Sequence, residues 1–255
     1  MEVAVLGLGE AGGRIAADLV AAGCTVRGWD PARRPTDVPN ADSALDAVRR
    51  ADVVLSVNAA GVALDVAAGV AGALDGDTLY ADLNTSSPEL KRALAESLPV
   101  EFADVALVGV VPSSGLRTPA LAAGAGASRF AALFGALGMP VEVVGPQPGD
   151  AAGLKLLRSV FMKGVAVAAI ESLEAARAAG AEERVRADIA EVIGEPLLDR
   201  FLSGSHAHAA RRVDELRAAV AYLEELGVRP LVASAAAEVL ARLDADEAVG
   251  LERAE

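Results

Sequence analysis

The chain has 255 residues, 53% of them apolar and 3% aromatic, with 23 basic against 36 acidic side chains and a formal net charge of −13. That length and apolar share supply a packed core and exclude a disordered chain. The negative charge repels phosphate backbones and anionic lipid surfaces within a Debye length of roughly 8–10 Å, so neither nucleic acid nor membrane is an expected partner.

The opening run MEVAVLGLG shows none of the regions of a secretory signal, and a cytoplasmic location is expected. Residues 2–6 form a β-branched run that ends in glycines, and a helical pattern with Ile15, Leu19 and Val20 on one face follows at once. The single cysteine, Cys24, excludes an internal disulfide and reads as a small apolar filler before the next strand, Thr25 to Trp29. Further runs at 53–57, 78–82, 100–107 and 141–145 alternate with Ala-rich segments of helix length, the pattern of βαβ units and a mostly parallel sheet. After Pro146 and Pro148 only helical patterns remain. They predict one long helix from Asp150 to Ala179, then helices at 182–193, 196–202, 207–226 and 230–243 and a frayed, solvated end. The apolar stretch SVFMKGVAVAAI inside the long helix is shorter than the about 20 residues a bilayer demands, and Lys163 interrupts it. The expected architecture is α/β: a Rossmann-type doubly wound domain at 1–148, then an all-helical domain at 149–255 that serves the substrate and pairs two copies as a homodimer.

The chemistry begins at Gly7-Leu8-Gly9-Glu10-Ala11-Gly12, between the first strand and the first helix. Gly7 permits the tight turn, Gly9 a close approach to a pyrophosphate, and Gly12 close helix–strand packing, while the helix N-terminus offers open N–H groups to phosphates. Asp30 follows 23 residues after Gly7, at the end of the second strand, where a carboxylate accepts the ribose hydroxyls. Val57 and Asn58, at the end of the third strand, complete the candidate dinucleotide contacts. The charge of Asp30 favours NAD, while Arg33 and Arg34 offer a clamp for a 2′-phosphate and leave NADP open.

The segments GLGEAGGRIAADLVAAGCTVRGWD, ADLNTSSP (81–88), FADVALVG (102–109) and GDAAGLKLLRS (149–159) together resemble the β-hydroxyacid dehydrogenases related to 6-phosphogluconate dehydrogenase and 3-hydroxyisobutyrate dehydrogenase. The tail is similar to a less characterised branch with a shorter helical domain. The resemblance implies that Lys155 is the catalytic lysine. Ser159 stands where better-studied members carry Asn, and the glycine-rich substrate loop is replaced by VGVVPSSGLRTP, so the substrate does not carry over.

Residues four apart on a helix share a face, so Lys155, Ser159 and Lys163 form one polar stripe. A lysine near a cleft supplies the proton transfer that accompanies hydride transfer once its pKa falls from about 10.4, and Lys163 competes with Lys155 for that role. Ser159 would hold a substrate hydroxyl or orient Lys155. Asn84, Thr85 and Ser86, with the loop from Ser113 to Arg117 and with Lys163, are the expected substrate contacts. His206 and His208 splay across different helix faces with no cluster of ligands around them, and no metal is expected, although both histidines could reach an active site across a dimer interface. The expected function is NAD(P)-dependent oxidation of a small hydroxy acid, or reduction of the matching oxo acid. An imine reductase on the same scaffold and a non-catalytic dinucleotide-binding protein are the alternatives.

Overall fold

The computed structural model describes residues 1–207 and 209–252, so His208 and the last three residues lie outside the description, as does the His206 side chain. The chain divides into two compact units, Met1–Lys155 and Leu156–Glu255.

The first unit holds seven strands: β1 (Glu2–Leu6), β2 (Thr25–Trp29), β3 (Val53–Ser56), β4 (Leu79–Asp82), β5 (Glu101–Leu107), β6 (Ala120–Ala123) and β7 (Val141–Gly145). Its helices are α1 (Glu10–Ala21), α2 (Ala44–Val48), α3 (Ala63–Ala71), α4 (Pro88–Ser97), α5 (Val111–Ser114) and α6 (Ala127–Ala136). The sheet order is β2-β1-β3-β4-β5-β6-β7, parallel throughout except between β5 and β6. Strands covered on both faces read as continuous apolar runs, and β1, β3 and β4 are buried over all but one residue. Val5, Leu55, Ala81 and Val105 pack on one face beneath Ile15 and Leu19 of α1 and Phe130 and Phe134 of α6. Leu6, Val54, Tyr80 and Phe102 pack on the other, beneath α2, α3 and α4. This is the doubly wound arrangement the alternation predicts.

One strand departs from the expectation. Ala120–Ala123 forms β6, although ALAA carries no β-branched residue. Its place between β5 and β7 makes it a strand, because small side chains fit there and its backbone groups need partners on both sides. Cys24 is partly buried against the α1 face of the core, as a filler should be.

Helix α7 (Asp150–Ala178) starts in the first unit and runs on through the division into the second. The second unit is completed by α8 (Glu182–Ile193), α9 (Glu195–Ala207), α10 (Ala209–Glu225) and α11 (Leu231–Glu252). Val167 and Ile170 of α7 share a core with Val213 and Leu216 of α10 and with Ala236 and Leu240 of α11. Helix α11 runs past the expected stop at 243, to Glu252. Among the described residues no helix is long and apolar enough to cross a membrane.

Candidate active site

The switch point of the sheet lies between β1 and β3, where the chain leaves β1 for α1 on one face and β3 for α3 on the other. At that edge Gly7 adopts φ +100°, a conformation that favours glycine, and its N–H donates to the Trp29 carbonyl at 2.8 Å. A Cβ on Gly7 would stand 2.4 Å from the Val57 carbonyl oxygen, and one on Gly12 only 1.9 Å from the Gly7 carbonyl oxygen. Among the described residues nothing lies within 4 Å of the Cβ position on Gly9, which is the N-cap of α1 and offers no side chain to the open N–H groups of the first turn. Glu10 is exposed there and Ala11 packs on the core. Two glycines held by close backbone approach and a third facing open space make a cradle that fits a diphosphate.

Asp30 is part of that cradle's construction. Its Oδ2 accepts the Leu8 N–H at 2.9 Å, and its Oδ1 accepts those of Ala32 (2.8 Å) and Arg33 (2.9 Å). Burial works against its ionisation, but those three N–H donors and the Arg33 charge outweigh burial and hold the carboxyl below its usual range. A carboxylate has about four lone-pair sites, so acceptor capacity remains for a ribose hydroxyl. The side chains of Arg33 and Arg34 are exposed.

Ser56, Asp82 and Asp104 are register partners on adjacent strands and form a polar row across the α4 face of the sheet. Asn84, just past β4, gathers that edge: its Nδ2 donates to Asp82 Oδ1 (2.6 Å), Asn58 Oδ1 (3.0 Å) and Ser56 Oγ (3.1 Å). Asn58 in turn donates to Ser56 Oγ. Asn84 Oδ1 and Ser86 Oγ are buried and carry no hydrogen-bond partner among the described residues. An unmet buried polar group costs about 1–3 kcal/mol, so a ligand that satisfies these two gains by doing so. Between them Thr85 Oγ1 accepts from Lys155 Nζ at 2.6 Å. The glycine turn, Val57, Asn58, Asn84, Thr85 and Lys155 are thus contiguous.

Three charged residues at this edge escaped the sequence reading. Lys91 of α4 has no exposed surface, and its Nζ lies 2.7 Å from Asp82 Oδ2, 2.8 Å from the Asp82 carbonyl oxygen and 3.1 Å from Asp104 Oδ1, the last an ion pair without hydrogen-bond alignment. Burial pushes the Lys91 pKa down, but the two carboxylates raise it above the usual lysine value. Asp104 Oδ2 accepts the N–H groups of Gly149 and Ala152, both at 3.0 Å, and so caps α7. Acidic residues inside apolar strands were one available signal; the other is that the chain has only three lysines, Lys91, Lys155 and Lys163, against 20 arginines.

The remaining candidates have different surroundings. In the second unit Ser159, 4% exposed, donates to Glu215 Oε1, which also pairs with Lys163 Nζ at 2.9 Å. Burial lowers the Lys163 pKa, Glu215 opposes the shift, and Arg212 and Arg211 reinforce it. In the first unit Ser113 donates to the Val110 carbonyl and Arg117 is exposed. Their segment is fastened to α1, through Arg14 to the Pro112 carbonyl (2.9 Å) and Leu116 N–H to Asp18 (2.8 Å).

A switch-point glycine cradle beside a carboxylate at the end of β2 is the arrangement of a dinucleotide-binding fold, and the comparisons with known proteins give its family. Residues 2–128 match the NAD binding domain of 6-phosphogluconate dehydrogenase, and residues 176–243 match a domain of unknown function, DUF1932. The chain belongs to the 6-phosphogluconate dehydrogenase-like family, in the branch whose C-terminal part is DUF1932. A conserved hypothetical protein from Sinorhizobium meliloti is 31% identical, with 94% of this chain and 87% of that one covered and a TM-score of 0.74. The 3-hydroxyisobutyrate dehydrogenase of Mycobacterium tuberculosis, solved with L-serine, is similar at TM-score 0.81 and 23% identity over 96% of this chain and 94% of that one. An imine reductase variant from Myxococcus stipitatus, solved with NAD+, is similar at TM-score 0.66 and 23% identity over 94% and 92%. The chain therefore carries an NAD-binding domain on a hydroxyacid dehydrogenase-like fold.

Proposed function

We propose that the protein is an NAD-dependent oxidoreductase of a small hydroxy acid or its oxo acid, with Lys155 as the general acid/base. The observation that carries this reading is the 2.6 Å bond between Lys155 Nζ and Thr85 Oγ1, joined through Asn84 and Asn58 to the glycine turn. The first-turn N–H groups of α1 hold the diphosphate and Asp30 the adenosine ribose, its negative charge disfavouring a 2′-phosphate. A nicotinamide bound at this edge supplies or accepts the hydride. Lys155 takes the hydroxyl proton in oxidation and returns it in reduction, and Asn84 Oδ1 and Ser86 Oγ fix the ligand that completes them.

Replacing Lys155 with Ala is expected to cut turnover by about 10²–10⁴-fold, with NAD affinity by calorimetry changed only a few-fold. The assay follows reduced nicotinamide absorbance over a panel of hydroxy acids, aldehydes and imines. No binding of either nucleotide overturns the reading, and imine reduction that survives in Lys155→Ala moves the assignment to imine chemistry.

In this reading two copies pair through the helical unit. Phe161 is 69% exposed, and Val232, 58% exposed, lies against Gly164 one turn along the same helix, where an added Cβ would meet it at 2.7 Å. Large apolar side chains exposed on neighbouring turns support a pairing face on this unit. Phe161→Glu is expected to shift the sedimentation coefficient from dimer to monomer.

A further inference from the structure

Two lines of bonding leave Lys91, and both end at the same place. Through Asp82 Oδ1 the first reaches Asn84 Nδ2 at 2.6 Å, one residue before Thr85. The second runs through Asp104 Oδ2 to the N–H groups of Gly149, just before α7, and Ala152, in its first turn, with Lys155 three residues beyond Ala152. Thr85 and Lys155 are the two ends of the 2.6 Å bond described above.

We propose that Lys91 is a positioning residue: it joins Asp82 to Asp104 and thereby holds Lys155 against Thr85. The inference rests on the assignment of Lys155 as acid/base. Its physical basis is charge. Asp82 and Asp104 are register partners on neighbouring strands, and neither has any exposed surface. Two buried carboxylates at that spacing repel, and one ammonium between them turns the repulsion into a bridge. The cluster then carries one net negative charge, which the positive end of α7 and the Asn84 amide complement. Removal of the ammonium leaves the strand ends and the start of α7 without the group that ties them together.

The lysine count makes the test direct, because acetic anhydride has three lysines and one α-amino group to label. Wild type, Lys91→Met and Asp104→Asn are each pulsed with acetic anhydride in the folded state, confirmed by circular dichroism, and acetylation is mapped by mass spectrometry. Asp104→Asn keeps an acceptor for the α7 cap and serves if Lys91→Met does not fold. Lys155 is expected to label at least several-fold faster in the variants, while Lys163, held by Glu215, keeps its wild-type rate. In the turnover assay kcat falls about tenfold or more, with KM within a few-fold. Equal acceleration at Lys155 and Lys163, which is general loosening, overturns the proposal, and so does an unchanged Lys155. Selective acceleration at Lys155 in a protein with no turnover on any substrate upholds the positioning role and removes the assigned reaction.

Discussion

Lys91 in the first unit and Lys163 in the second are both helix lysines paired with carboxylates, yet their affinities for the proton move in opposite directions. Lys91 is fully enclosed and faces two carboxylates, whose attraction overcomes burial and raises its pKa. Lys163 retains 12% of its side-chain exposure and shares a single carboxylate with Ser159, near Arg212 and Arg211, and burial wins. The more deeply buried lysine is therefore the one that holds its proton more tightly. What decides is the local balance of charge, two carboxylates against one ammonium in the first case and three cations around one carboxylate in the second.

The sharpest way to break the contrast is Lys91→Met, which leaves two buried carboxylates without their cation. Loss of one partner from a buried pair costs about 3–5 kcal/mol, to be read from urea unfolding. Lys163→Met should cost about 1–3 kcal/mol in the same assay, because Glu215 keeps the Ser159 hydroxyl. The pH dependence then separates the two by sign. Lys91, with its pKa raised on folding, contributes stability that is complete below the unfolded value of about 10.4 and is lost as pH climbs through the higher folded value. For Lys163 the folded value lies below about 10.4, so folding expels its proton and its contribution grows as pH rises from the folded value to the unfolded one. Difference curves of wild type minus each variant should slope oppositely on the alkaline side, and parallel curves would undo the contrast. The baseline is Arg184→Ala, which breaks an exposed pair with Asp188 and should leave the unfolding midpoint unchanged.

Much of the fold and half of the site could be read from the residues. The glycine turn and Asp30 occupy positions where loop chemistry leaves few choices, while Asn84, Thr85 and Lys155 stand out through the family resemblance, helix spacing alone leaving Lys163 as a competitor; the structure brings these residues to one edge. Lys91 was hidden because the buried side of α4 is Pro88, Lys91 and Leu94, and a lysine on such a stripe ordinarily extends its amine to water. Only the pairing of β4 with β5, a long-range event, places two aspartates where that amine ends. Strand β6 was hidden for a related reason: three alanines and a leucine state no preference for a strand and take the conformation their neighbours impose. Ser113 and Arg117, expected at the substrate, belong to a segment whose hydrogen bonds hold α1.

The capping of α7 by Asp104 has a consequence for how the chain can be rewired. The bond from the Gly149 N–H reaches back 45 residues to β5, so the helix takes its starting point from the sheet as well as from the preceding turn, where Gln147 and Asp150 exchange hydrogen bonds. New termini or a spliced insert at the exposed Pro146, ahead of the bonds between Gln147 and Asp150, should therefore leave the helix seated.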